Sequence, residues 1–243
     1  MLGTLFSRKA MKCYLLNVLE LGKEPETIEE LSLLMPVSRQ EKLWKLKNEK
    51  AKLAHLGVGL LMSYAALLGE TRGEPQRLSA HELVEGIHAL LEMTEKQDAK
   101  GLPDIRIEKK GKPYYCPPYE KLYFNASHSG DFIFFVVSDR EVGCDFQIIE
   151  DRKPKASLAG KIMTAKELVR YEAVTGREQE GCFYEAWCKR EALGKYTGDG
   201  VAGLLGKELS YLLQEKGLTV YKMRQYLEPS WYYFAVCEKG KVE

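Results

Sequence analysis

Apolar and polar positions along this chain alternate between helical and strand-like spacing, and the elements can be followed from that. Met11 to Leu21 (MKCYLLNVLEL) is apolar enough for a buried first strand, and Gly22, Lys23, Glu24 and Pro25 close it with a turn. Four S/T-x-x-E signatures follow: Thr27 with Glu30, Ser38 with Glu41, Ser79 with Glu82 and Thr164 with Glu167. In each, hydroxyl and carboxylate can reciprocally satisfy free amides at a helix N-terminus, so a helix is expected after each. The second, from Arg39, is read as continuing through Leu43, Trp44 and Leu46 into the apolar run Leu53 to Leu68, weakened but not broken by Gly57 and Gly59. Arg72 to Arg77, with Gly73 and Pro75, reads as a loop. Ala80 to Met93 has helical spacing at Leu83, Ile87, Leu90 and Leu91, and Thr94 to Lys100 closes it.

Beyond Gly101 the pattern turns strand-like. Asp104 to Lys109 alternates, Gly111-Lys112-Pro113 marks a turn, and Phe132 to Val137 is an almost continuous β-rich run. Val142 to Ile149 reads as the next strand, joined to the previous one as a hairpin through Ser138 to Glu141, which places Asp145 inside a strand. Helices are expected from Ala165 and from about Gly181 to Tyr196, with late strands at Leu218 to Arg224 and Trp231 to Cys237. The order strand, helices, strands occurs twice, which suggests an α+β fold of two lobes of similar plan, although the sequence holds no strong internal repeat.

Composition narrows the classes. With 45% hydrophobic and 29% charged residues the chain reads as an ordinary soluble globular protein, large enough to bury a core. Its 36 basic against 35 acidic residues leave a net charge of +1, so no whole-surface field for polyanions is expected. The basic helix Arg39, Lys42, Lys45, Lys47, Lys50 and Lys52 is most simply a solvated face; Glu41 and Glu49 interrupt it and stacking aromatics are sparse, so nucleic-acid binding fits poorly. The six cysteines form no C-x-x-C pair and sit among apolar neighbours, as reduced thiols of a cytoplasmic protein would. Arg8, Lys9 and Lys12 precede an apolar stretch, Cys13 to Leu16, too short for a signal-peptide core. No uninterrupted apolar run approaches the ~20 residues that span a bilayer, so no membrane partner is expected.

Some residues carry candidate chemistry. A core strand has little reason to hold Asp145, because an unpaired buried carboxylate is costly; it either joins a structural salt bridge or faces a cation. Glu191 shares a helical face with Trp187 and Lys195 at i, i+4 spacing, so a carboxylate and an ammonium can project toward one ligand, or simply pair at a surface. His128, flanked by Ser127 and Ser129, can present an imidazole to phosphate oxygens or serve as a structural turn histidine. Lys112 is either a phosphate donor or a solvated turn residue.

Taken in order, Gly111-Lys112-Pro113, then Phe124-Asn125-x-Ser127-His128-Ser129, then Gly143-x-Asp145, then Trp187-x-x-x-Glu191-Ala192-x-x-Lys195, the series resembles the 4'-phosphopantetheinyl transferases, in particular their larger single-chain class. The motifs span Gly111 to Lys195, and a weaker likeness reaches Arg39-x-Glu41-Lys42 upstream. The resemblance implies two similar α+β lobes about a pseudo-twofold axis, 1–139 and 140–243, working as a monomer with coenzyme A between them. It implies transfer of 4'-phosphopantetheine from coenzyme A to a serine of an apo acyl or peptidyl carrier protein in fatty-acid, polyketide, lysine or nonribosomal-peptide pathways. Asp145 and Glu191 match the acids that hold Mg2+, or Mn2+ in its place, against the coenzyme's pyrophosphate. Ser127 and His128 fall in the pyrophosphate-contacting motif, Lys195 and Lys112 match phosphate-contacting lysines, and Arg39 and Lys42 match groups near the 3'-phosphate. Glu191, or a water it orients, is the candidate base for the carrier serine.

This chain departs from the family pattern at three places. Gln147 stands where many relatives have a second acid; its amide oxygen can still coordinate Mg2+ as a third metal ligand, but the metal's surroundings lose one negative charge. Arg190 replaces a lysine before the glutamate. Leu53 occupies a position usually basic, leaving Lys52 or His55 as substitutes. Gln147 and Arg190 keep a non-catalytic coenzyme A or carrier-binding homologue open as the alternative.

Overall fold

The first apolar run forms strand β1 (Met11–Asn17), with Cys13 to Leu16 all buried. It stops at Asn17, whose side chain accepts from the Leu19 amide at 3.0 Å and starts a 3-10 turn, Val18–Lys23. In this computed structural model, residues 11–95, 101–149 and 156–240 are described. The fold is mixed α+β, and the chain divides into two compact units between Arg140 and Glu141.

In the first unit, helices α1 (Ile28–Ser32), α2 (Val37–Lys45), α3 (Glu49–Leu68) and α4 (Ala80–Glu95) follow β1, with β2 (Gln76–Leu78) between the last two. The capping boxes at Thr27 and Ser79 form as the spacing requires: Glu30 and Glu82 each accept from the amide three residues back, while Thr27 and Ser79 hydroxyls accept from theirs.

Ser38 and Glu41 form no box. Pro36 takes the capping position of α2, leaving Ser38 inside the helix with its amide on Asp104 Oδ1, while Glu41 pairs with Lys45. Nor does that helix run on into α3. Leu46 turns extended and Asn48 accepts from the Ala51 amide at 2.9 Å, an N-cap hidden in a charged stretch. From there α3 continues unbroken through Gly57 and Gly59. By length and composition α3 could cross a membrane, unlike the sequence expectation; Leu56, Leu60 and Leu61 on it are buried in this unit's core. The stretch read as a loop at Arg72 to Arg77 ends in β2, which pairs parallel to β1 through Tyr14 opposite Gln76.

A short ribbon, β3 (Ile105–Ile107) against β4 (Pro113–Tyr115), carries the Gly111-Lys112-Pro113 turn. Strand β5 (Tyr123–Ser129), which the sequence reading missed, then pairs with β6 (Phe132–Ser138) across the two-residue loop Gly130-Asp131, where Gly130 supplies a φ of +60°. β6 lies between β5 and β1, so the sheet order is β2-β1-β6-β5. With both edges of β6 taken, the expected hairpin from β6 into the following strand has nowhere to form.

That strand, β7 (Val142–Ile149), instead opens the second unit and pairs with β9 (Ser230–Lys239), which pairs with β8 (Leu218–Leu227), giving the order β7-β9-β8. Between β7 and β8 come α5 (Ala156–Ile162), α6 (Ala165–Glu172), α7 (Arg177–Thr197) and α8 (Leu209–Lys216); α6 begins on the Thr164–Glu167 capping box. Each unit therefore follows one plan: an opening strand, helices, then an antiparallel hairpin whose last strand inserts beside the opening one.

Candidate active site

Helix α7 lies against the sheet of the second unit, where Cys188, Ala192 and Leu193 pack with Tyr233, Ala235 and Cys237. The approach is close enough to require glycine. A Cβ on Gly143 of β7 would sit 2.2 Å from the Ala192 carbonyl oxygen and 2.4 Å from the Tyr196 amide. Asp145 is two residues beyond Gly143 on the same face, and the register sets Asp145 beside Ala235 and Gln147 beside Tyr233. The strand thus carries both polar side chains beneath the helix that carries Glu191 and Lys195.

Asp145 is 1% exposed. Lys195 Nζ donates to its Oδ1 at 2.8 Å and Gln147 Nε2 to its Oδ2 at 3.1 Å. The lysine predicted to share a helical face with Glu191 therefore forms its ion pair across to the strand. Glu191 is half-buried, and that burial together with the negative charge of Asp145 raises its pKa, against the pull of Lys195. Burial opposes charge on Lys195 as well, but Asp145, Cys144 and Glu191 more than offset it and its pKa is raised. The thiols beside this group are inert to titration near neutrality: burial pushes Cys144 up to about 12, and burial with Asp145 lifts Cys188 further. Among the described residues no group of three or more His, Cys, Asp and Glu side chains converges as a metal cage. Asp145 and Glu191 are the two carboxylates available here, with the Gln147 amide beside them.

Arg190 does not join them. It is fully buried, and all five of its N–H groups are used: Nε donates to Leu204 O, Nη1 to Glu167 Oε1 and Ala186 O, Nη2 to Glu167 Oε2 and Lys207 O. The same Glu167 caps α6, so one carboxylate ties two helices together. Sequence reasoning found Glu167 as a cap and Arg190 as a departure, but not their pairing. A second group was also missed: Glu185 takes Arg170, Lys189 and Lys222 as ion-pair partners. Its only sequence signal is the i, i+4 spacing to Lys189.

The other expected residues lie in the first unit, on separate elements. Arg39 of α2 reaches α3, where its Nη2 lies 3.1 Å from His55 Nδ1, and His55 Nε2 lies 3.0 Å from the Arg39 carbonyl. Burial lowers the Arg39 pKa to about 10; burial and then Arg39 lower that of His55 to about 4, so the ring is neutral at pH 7. His55, not Lys52, is thus the neighbour of Arg39; Leu53 is a core residue, and Lys52 sits over the Trp44 ring. Lys42 is exposed on α2. Lys112 lies in the β3–β4 turn, its carbonyl accepting from Glu108. Ser127 and His128 occupy consecutive positions of β5, so the serine is buried and the histidine exposed; His128 is a strand residue and not part of a turn.

Residues 141–234 match the family model described as the 4'-phosphopantetheinyl transferase superfamily. The chain is 34% identical over 111 residues to the 4'-phosphopantetheinyl transferase AcpT of Escherichia coli (strain K12), covering 45% of this chain and 56% of that protein. It is 33% identical over 99 residues to the 4'-phosphopantetheinyl transferase psf-1 of Bacillus pumilus, covering 40% and 41%. The chain spans about half the length of the curated relatives it matches. A crystal structure of holo-[acyl-carrier-protein] synthase (AcpS) from Neisseria meningitidis aligns over 41% of this chain and 98% of that one, at 22% identity and a TM-score of 0.31.

Proposed function

We propose that the protein transfers 4'-phosphopantetheine from coenzyme A to a serine of an apo acyl or peptidyl carrier protein, because residues 141–234 match the model of the 4'-phosphopantetheinyl transferase superfamily. The observation that supports this most is the buried Asp145 with Glu191 and Lys195 above it: two carboxylates and an ammonium in one group beside the apolar cluster that joins helix and sheet.

The donor set suits Mg2+. Two hard carboxylates close enough for one charge to raise the pKa of the other are what a divalent ion would relieve, and Mg2+ takes one or two carboxylates and completes its octahedron with phosphate oxygens and water. Asp145 and Glu191 would hold it, with Gln147 adjacent. Bound there, it would neutralise charge on the coenzyme's pyrophosphate, a Lewis-acid role.

In the reaction the carrier serine oxygen forms a bond to the pantetheine-linked phosphorus, while the bond to the adenosine 3',5'-bisphosphate breaks and the electron pair leaves with that nucleotide. Glu191, or a water it orients, is the base that takes the serine proton, a contribution of roughly 10²–10⁴-fold. Lys195 balances negative charge. For the coenzyme's phosphates, the family resemblance is the support for Lys112, His128, Ser127, Arg39 and Lys42.

The test is incubation with a panel of apo carrier proteins, coenzyme A and Mg2+, read by mass spectrometry. One carrier should gain the mass of a phosphopantetheine arm, and Asp145→Ala should abolish the gain. A folded protein that modifies no carrier in the panel would sink the reading, and coenzyme A binding without turnover would identify a binding homologue instead.

A further inference from the structure

We propose that Lys195 is a resident counter-ion that closes Asp145 to divalent metal until a diphosphate draws it away, so that metal and coenzyme A bind as a coupled pair. This rests on the transferase reading for the identity of the two ligands, but it concerns how the chain's own residues admit them.

Both oxygens of Asp145 are engaged by donors, Oδ1 by the Lys195 ammonium at 2.8 Å and Oδ2 by the Gln147 amide at 3.1 Å. A carboxylate only 1% exposed needs such partners, because removing them would leave a buried charge uncompensated. The charge count points the same way. Two carboxylates and one ammonium leave one net negative charge; a divalent ion added to them would leave one net positive charge, out of bulk water, and repel the ammonium.

A diphosphate changes both terms. It brings negative charge for the metal, and it offers Lys195 an acceptor of higher charge than Asp145. The lysine can follow it: its side chain is 29% exposed, on a flexible four-carbon stem at the last turn of α7, whereas Asp145 is fixed within a strand. Gln147 strengthens the effect in this chain. An acid at that position would add a negative charge and favour the metal; the amide adds instead a second donor to Asp145.

Mn2+ serves as the probe, its binding followed by the loss of the free-ion electron paramagnetic resonance signal, with no carrier present and therefore no turnover. Wild-type protein should bind Mn2+ more tightly with coenzyme A than without it, within the roughly 5- to 150-fold range of ordinary ligand coupling, and Mn2+ should tighten coenzyme A by the same factor. Lys195→Met should bind Mn2+ more tightly than wild type in the absence of coenzyme A and lose most of the coupling. Circular dichroism verifies that the variant is folded, and Lys195→Gln, which keeps a polar head without the charge, takes its place if it is not.

Equal wild-type affinity for Mn2+ with and without coenzyme A overturns the proposal. So does a folded Lys195→Met with unchanged coenzyme-free affinity. If wild type still transfers phosphopantetheine in either case, the coupling fails alone; if it neither transfers nor binds coenzyme A, the transferase reading fails with it.

Discussion

A guanidinium has five N–H groups, and Arg190 directs all of them to acceptors inside the fold, two to one carboxylate and three to carbonyls. A lysine in its place offers three donors from a single atom and cannot reach acceptors arranged around a planar fork. Arg190→Lys should therefore leave buried carbonyls unpaired and cost about 1–3 kcal/mol. Arg190→Met, which also takes the guanidinium from Glu167 and leaves it Thr164 and Lys189, should cost about 3 kcal/mol. Urea unfolding measures both, and a change within error for the methionine variant would contradict this account. Because Glu191 is the next residue on the helix, the residue that looked in the sequence like a departure at the candidate site is a packing anchor turned away from it.

Helix α7 and strand β7 meet through Gly143, and the atoms opposing a Cβ there are backbone, which cannot rotate away as a side chain tip can. Gly143→Ala should cost about 3 kcal/mol by overpacking. The strain must shift α7, so the proposed phosphopantetheine transfer should also fall even at temperatures where the variant is folded; a variant of wild-type stability would refute the close approach. The bounded apolar runs of β1, β7, β8 and β9 were legible, as was Asp145 within its strand. Strand β5 was not, because Tyr123 to Ser129 alternates polar Asn125 and Ser127 with few apolar residues, and its identity depends on pairing with β6. The break before α3 hid in the single cap Asn48. The i, i+4 spacing placed Glu191 and Lys195 on one face, but the partner of Lys195 is 50 residues away in sequence, and local spacing holds no information about that choice.

Across the molecule, acid should act first where an imidazole is kept neutral. Folded His55 takes a proton only near pH 4, against 6.5 for an ordinary histidine. Between those values the unfolded chain holds the extra proton, so this residue's contribution makes stability fall as pH drops through the window. His55→Gln should flatten that part of the thermal-midpoint profile from pH 6.5 to 4, and an unchanged slope would show that His55 does not titrate as assigned. The strand order has a different consequence. In both units the strand made last in sequence lies between the opening strand and the strand made just before it, β6 between β1 and β5, β9 between β7 and β8. During synthesis β7, with Asp145 on it, must wait for β9 to leave the ribosome before it has a neighbour, although α7 with Glu191 has already emerged. A nascent chain stalled before Ser230 would present every acid of the site and still lack the strand that holds them in register.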